Sequence, residues 1–451
     1  MASTFGENLK IEIYGESHSA RIGVKINGFP CGFPIDENQL AEFMARRAPG
    51  RDEFSTPRKE ADKVEFLTGV TNGITNGDTI HAVIYNQNLK PKDYSDIADT
   101  PRPGHADYTA KMKYGEGYNA TGGGHFSGRL TAPLCIAGGI CMQWLETQGI
   151  TIGAHIASIH GVEDKKFDSV NVTAEELNSL KTKSFACIDD TAADKMKSEI
   201  LKTKADGDSV GGSIECAVAG LPAGIGEHMF DGIENRISLI AFGIPAVKGI
   251  EFGAGFDVCN MYGSENNDEF YYDENGEIRT RTNNCGGILG GITNAMPVIF
   301  RVAIKPTPSI AKTQSTVSLS EKTNTTISIN GRHDPCIVQR AVPCVEAAAA
   351  VAITDLMIGK KTNLTSVRKD IDAIDSQLVN LICSRMECAT KVAKYKKENS
   401  IAIYDPEREA ALFERVCKLA GTEHSDSIKE IFKHITEVSR SYQNKIISSD
   451  K

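Results

Sequence analysis

The sequence has no CxxC pair among its 12 cysteines, a single tryptophan, and no uninterrupted apolar run that approaches the width of a bilayer. Each absence excludes a class of protein. Cysteines scattered as Cys31, Cys135, Cys141, Cys187, Cys216 and onward fit neither a zinc site nor a disulfide framework, and read as reduced, mostly buried thiols with no metal bound. The N-terminus, MASTFGENLKIEIYGESH, lacks a basic stretch followed by an apolar core. A soluble, cytoplasmic chain with no membrane partner is therefore expected. The Walker phosphate loop is also missing, because no GxxxxGK is followed by Ser or Thr.

A net charge of −9 over 451 residues argues against a general polyanion-binding surface. The acidity lies in the first 360 residues, which nevertheless carry basic clusters: ARRAPGR at 45–51, TPRK at 56–59 and PRPGH at 101–105. Those clusters allow one competing reading, a nucleic-acid binder whose affinity falls steeply with salt. The favoured reading has no nucleic-acid partner. Glycine is abundant, with 41 residues, and four of them fall in ATGGGHFSGR at 120–129. Such a cluster marks left-handed turns or close approach of another group to the backbone.

Up to about residue 358, short β-leaning runs (VKINGF, TIHAVIY, MPVIFRVAI) alternate with helix-like segments (PLCIAGGICMQWLETQG, VEAAAAVAITDLMIG). That mixture predicts an α+β domain of sheets packed against helices over 1–358. At GKKTN, 359–363, a linker begins and the pattern changes. From 364 the apolar residues fall at 364, 367, 371, 374, 378 and 381, the seam of a packed helix running to about 397. At about 50 Å this helix is longer than a compact 90-residue domain is wide, so the module is expected to dimerise along it. Helix two is expected to start at Asp405 with Pro406 and to stop at Gly421; helix three is expected near Ser427 with Glu430 closing a capping box. The second domain, 364–449, is thus all-α with three helices.

Arg385 interrupts the seam, and a buried cation calls for an anion. Ser439 and Gln443 share a helical face, Asp405, Arg408 and Glu409 cluster at a helix start, and Lys394 and Lys396 end the long helix. This set of cations and donors, with no nucleophile, suits a dianion whose developing charge is stabilised without covalent chemistry. VRKDIDAID, RMECATKVAKYK, YDPERE and SRSYQ resemble, in order and spacing, the all-helical class of chorismate mutase over 364–447. The resemblance implies rearrangement of chorismate to prephenate in an intertwined dimer. It places Arg368 (from the partner chain), Arg385 and Arg408 on the carboxylates, Lys396 and Gln443 on the ether oxygen as its bond breaks, and Asp405, Glu409 and Ser439 around the ring. A catalytically silent sensing or dimerisation domain is the alternative.

In the first domain, GESHSARIG holds Ser17 and His18, RPGHAD holds Arg102 and His105 behind a Pro-Gly turn, and GRHDPC joins Arg332 to Asp334. Tight turns that present acids and bases beside arginines favour an anion site with proton transfer. Together with RRAPG, GGGHFSGR, AVKGIEFG, GGILGGI and KPTPS, these stretches resemble chorismate synthase over residues 5–358. The resemblance implies a β-α-β sandwich with antiparallel sheets, a homotetrameric core, and anti 1,4-elimination of phosphate from 5-enolpyruvylshikimate 3-phosphate. It also implies reduced FMN as cofactor, either supplied reduced or reduced by NADPH. His18 is then the donor to the departing phosphate, His105 the donor to the flavin ring, and Asp334 a proton relay. Ser17, Arg47, Arg102 and Arg129 face the substrate. His125, Phe126, Ser127, Gly286, Lys305, Pro306, Thr307, Pro308, Ser309 and Arg332 line the flavin, with Arg47 and Ala246 on the same side. Three departures from the family pattern are visible: His125-Phe126 stand where Arg-Ser is usual, Glu53 where an arginine is, and Pro245-Ala246 where Asn-Ala is.

Overall fold

The strand Arg21–Asn27 buries Ile22, Gly23, Val24 and Ile26 and leaves Arg21, Lys25 and Asn27 outside, the pattern of a strand covered on one face. A computed structural model describes residues 2–50, 62–86, 99–115, 121–329, 334–359 and 364–449. The chain divides into two compact units, 1–360 and 361–451.

In the first unit, Arg21–Asn27 lies at the centre of a five-stranded antiparallel sheet, ordered Ala2–Phe5, Lys10–Tyr14, Arg21–Asn27, Ile80–Tyr85, Glu65–Thr68. A second five-stranded antiparallel sheet is ordered Val247–Phe252, Val298–Ile304, Gly212–Ala219, Thr151–Ile159, Val162–Glu163. Between them pack two apolar helices. Thr131–Thr147 lies on the first sheet and Val338–Ile358 on the second, and each packs on the other. Their contact is close because Gly138 has no side chain: a methyl group there would stand 2.3 Å from the Cα of Ala347. The expected layering of sheet, helices and sheet is what forms.

Val338–Ile358 is, by length and composition, apolar enough to cross a bilayer, but its run is interrupted by Arg340, Glu346 and Asp355, and 83% of its most apolar 18-residue stretch is buried inside the fold, so it is the core helix of this sandwich. Its charges are held internally: Glu346 receives the Arg46 guanidinium and the Ala154 amide, and Asp355 receives the amides of Glu7, Asn8 and Leu9 together with Arg236.

In the second sheet, His155 is fully enclosed, with Nδ1 2.9 Å from Asp164 and Nε2 2.9 Å from Glu215. Burial pushes its pKa down, but the hydrogen bonds to the two carboxylates prevail and leave it raised. A raised folded-state pKa stabilises the fold fully below the unfolded value near 6.5, and that contribution is lost as pH climbs through the folded one. Urea midpoints should therefore decline on the alkaline side of neutrality, and the decline should flatten in His155→Gln. An equal slope in both proteins would reject this.

The second unit is helical. Leu364–Glu398 forms one helix of about 52 Å. Pro406–Ser449 runs as two helical stretches broken at Gly421, whose φ of 70° and ψ of 178° are non-helical. Helix two is capped as expected, Asp405 accepting from the Arg408 amide at 3.0 Å. Helix three, however, resumes directly after Gly421 rather than near Ser427, and Glu430 pairs with Lys433 instead of closing a capping box. A single left-handed glycine suffices for the turn. Along the long helix, Ile371, Ile374, Leu378 and Leu381 are exposed in the single chain.

Candidate active sites

The glycine loop folds as a 3-10 turn, Thr121–Phe126, with Gly123 at φ 94° and Gly124 at φ 52°. It gathers the separate motifs of the first unit. The amide of Ser17 donates to the Gly124 carbonyl at 3.2 Å. His125 places Nδ1 3.0 Å from the Gly15 carbonyl and Nε2 3.0 Å from Glu16. Both ring nitrogens thus face acceptors, which fixes the orientation of the ring beside the glycine turn. Gly123 backs onto His105: a methyl group there would lie 3.3 Å from Nε2. His18 is half-buried in the turn that Gly15, at φ 104°, makes possible.

Behind His105 stands a carboxylate. Asp107 lies 2.6 Å from His105 Nδ1 and accepts both Nε and Nη2 of Arg102, at 2.7 and 2.8 Å. Burial raises the Asp107 pKa, yet the hydrogen bonds from Arg102 and His105 outweigh it and hold the carboxyl well below its usual range. Arg102 also donates to the Ser309 hydroxyl at 3.0 Å, and Lys305 donates to the Gly104 carbonyl at 2.6 Å. Burial, with Lys248 nearby, lowers the Lys305 pKa. The KPTPS turn thus closes against the RPGHAD turn.

At the far end of the glycine loop, Ser127 caps the next turn by accepting from the Arg129 amide. Arg129 and Arg47 share Asp62, and Arg129 also meets Asn86 at 3.1 and 3.2 Å. Arg47 is 2% exposed, and its Nε has no partner among the described residues. Arg340 joins the group by donating to the Arg47 carbonyl at 3.0 Å and pairing with Asp334. Among the described residues, three guanidiniums thus meet two carboxylates.

Not every expected residue joins. Ala246, at φ 77°, accepts the Lys305 amide at 2.9 Å, but Gly286 bonds to Ile299 at the other end of that strand pair. Six residues of strand separate them, about 20 Å, so Gly286 is not part of this cluster within one chain. Phe126 is exposed. Arg332, Arg51 and Glu53 lie outside the described residues. Asp62, Asp107 and Arg340 were missed. Asp107 sits inside the quoted RPGHAD and Arg340 lies six residues after Asp334, both local hints; Asp62 has no such signal.

In the second unit, Arg385 is half-buried and has no ion-pair or hydrogen-bond partner among the described residues. Ala389 and Ala393, on the same face, are buried, so that face turns inward. Lys396 donates to the Ile403 carbonyl at 2.7 Å. Thr436, Ser439 and Gln443 form a buried face; Gln443 Nε2 lies 3.5 Å from Ser439 Oγ, and its Oε1 has no partner among the described residues. Glu409 pairs with Arg440. Arg408 is exposed, and the side chain of Arg368 lies outside the described residues.

Comparison with known proteins decides the family. The chorismate synthase model matches residues 9–358, and the chorismate mutase type II model matches 367–444. The chain belongs to the chorismate synthase family. A chorismate synthase of Lancefieldella parvula is 44% identical over 368 residues, covering 79% of this chain and 96% of its own. One from Methanococcus aeolicus is 42% identical over 364 residues, covering 79% and 97%. A crystal structure of chorismate synthase superposes with a TM-score of 0.63 at 26% identity, over 83% of this chain and 99% of that one. The chain thus joins a chorismate synthase domain to a chorismate mutase type II domain, a bifunctional arrangement within the shikimate pathway. The arginines that suggested nucleic-acid binding are paired inside the first domain: Arg46 with Glu346, Arg47 with Asp62, and Arg102 with Asp107.

Proposed function

We propose that the first domain eliminates phosphate from 5-enolpyruvylshikimate 3-phosphate to give chorismate, and that the second rearranges chorismate to prephenate. The observation that carries the first half is the meeting of Ser17, His125, His105 and Arg102 around the Gly123–Gly124 turn. Arg102 and Arg129 bind the anionic groups of the substrate, and Arg47 supports Arg129 through their shared Asp62. His18 donates a proton to the leaving phosphate, a contribution of about a hundredfold or more. Asp334, aligned by Arg340, relays a proton at its carboxyl oxygen.

The residues fit reduced FMN. Gly123 has no Cβ to fill the cradle over His105, Thr307 Oγ1 is buried without a partner among the described residues, and Lys305 and Ser127 supply a cation and a hydroxyl. When bound, reduced FMN would lend electron density to the breaking C–O bond and recover it, so that the elimination is redox-neutral overall. Lys305, Thr307, Ser309, His125 and Ser127 hold it, and His105 Nε2 keeps a proton on the side of the glycine turn.

In the second domain, Arg385 holds a carboxylate of chorismate, with Arg368 of a second copy on the other. Lys396 and Gln443 donate to the ether oxygen, and Asp405, Arg408, Glu409 and Ser439 order the ring. The unmatched Arg385 and Gln443 Oε1 support an active site over a silent one. The exposed seam at Ile371–Leu381 supports dimerisation of this domain. On the first domain, exposed Phe230, Phe242, Phe256, Tyr262, Phe270 and Tyr272 support the larger homo-oligomer, a tetramer.

Anaerobic stopped-flow absorbance on the full chain tests the whole. With the phosphorylated precursor and pre-reduced FMN, inorganic phosphate, chorismate and then prephenate should appear in order; oxidised FMN with NADPH tests self-reduction. No phosphate release with reduced FMN rejects the reading.

A further inference from the structure

We infer that Asp107 is the positioning residue of His105, fixing the tautomer that leaves Nε2 as the proton-carrying atom beneath the Gly123–Gly124 turn. The inference rests on the reading of His105 as a proton donor in the first domain.

The geometry allows only one assignment. Asp107 is 6% exposed and held ionised, so its oxygens can only accept. At 2.6 Å from Asp107 Oδ1, His105 Nδ1 must therefore carry a hydrogen. Arg102 Nη2 also lies 3.0 Å from Nδ1 and 3.3 Å from Nε2. A donor near both nitrogens at once lies beside the ring rather than on a lone pair, and its hydrogen goes to Asp107 Oδ1 at 2.8 Å. The Nδ1 contact with Asp107 is the shorter and sets the tautomer.

With Nδ1 committed, the exchangeable proton can reside only on Nε2. That nitrogen lies under Gly123, where a methyl group would stand at 3.3 Å. A left-handed glycine at φ 94° therefore leaves the acid reachable, while the carboxylate behind it fixes the ring's orientation. Asp107 is itself fixed from three sides, by the Arg102 side chain, by the Arg102 amide at 3.1 Å, and by its place in the first turn of helix Asp107–Tyr114. Arg102 is in turn anchored on Ser309. Arg102 thus links the flavin-side serine to the residue that orients the acid.

An amide at position 107 keeps the shape but not the chemistry. Its NH2 must point at either the Arg102 donors or His105, so one pairing becomes donor against donor. Asp107→Asn should lower kcat for phosphate release by about 10² or more, and any rise in KM for the phosphorylated precursor reports the Arg102 that Asp107 also holds. In a His105→Ala background the same change should lower kcat at least tenfold less, because that part of its effect acts through His105. Equal losses in both backgrounds overturn the inference, as does an Asp107→Asn enzyme at full rate beside a slow His105→Ala. A His105→Ala enzyme at full rate removes the donor reading and the inference with it. Independently of any variant, 15N-histidine NMR of the unmodified full chain should show His105 hydrogen-bearing at Nδ1 throughout pH 6–9, and an Nε2–H, Nδ1-bare ring overturns the assignment.

Discussion

Replacing Arg385 with alanine should lower prephenate formation by about 10²–10³-fold while phosphate release stays within twofold. The long helix places this guanidinium where its seam calls for an apolar side chain, on the face that buries Ala389 and Ala393, and no carboxylate among the described residues answers it. A cation kept half-buried without an internal partner is costly unless a ligand supplies the anion. Pre-placed positive charge also stabilises negative charge that develops as the ether bond breaks, so the loss falls on the rate more than on affinity. Gln443→Ala should act in the same direction, since its amide lies in the buried face with Ser439. Coupled assays with added chorismate read the second step alone. Unchanged prephenate formation in both variants removes this site and favours a helical domain that senses chorismate or only dimerises.

Arg46→Met should destabilise the first domain by about 3–5 kcal/mol. Glu346 lies in the core helix with no exposure, and it is matched by Arg46 Nη1 at 2.5 Å, Nη2 at 2.9 Å and the Ala154 amide at 3.0 Å. Removing the guanidinium leaves a buried carboxylate with one amide. The urea midpoint of the first transition should fall sharply. The double change Arg46→Met with Glu346→Leu should recover most of the loss, because two apolar groups leave no charge unpaired. No recovery would show that the cost is a packing defect and not electrostatic.

The parts of the molecule that were legible in the sequence are those whose causes are local. The turns at Gly15, Gly104 and Gly123 all take positive φ, and each was marked by glycine beside a histidine or arginine. The long helix was legible from its three-and-four spacing, and its extent, Leu364–Glu398, follows the apolar seam. Long-range pairing was not legible. Asp62, which joins Arg47 to Arg129, has no pattern around it, and the bonds from Glu346 back to Arg46 and from Asp355 to residues 7–9 span 300 or more positions. Motif order also does not convey that Gly286 and Lys305 lie at opposite ends of the same pair of strands. The restart of helix three directly after Gly421 was missed because a single left-handed residue needs no loop to support it.

Asp355 grips the amides of Glu7, Asn8 and Leu9 across 346 to 348 residues. On a ribosome adding roughly 5–20 residues per second, the amino-terminal turn waits about 17–70 s for its carboxylate to be made. Until then the turn between the first two strands keeps three amides without the acceptor that the folded domain gives them, although every strand of that sheet has been made by residue 85.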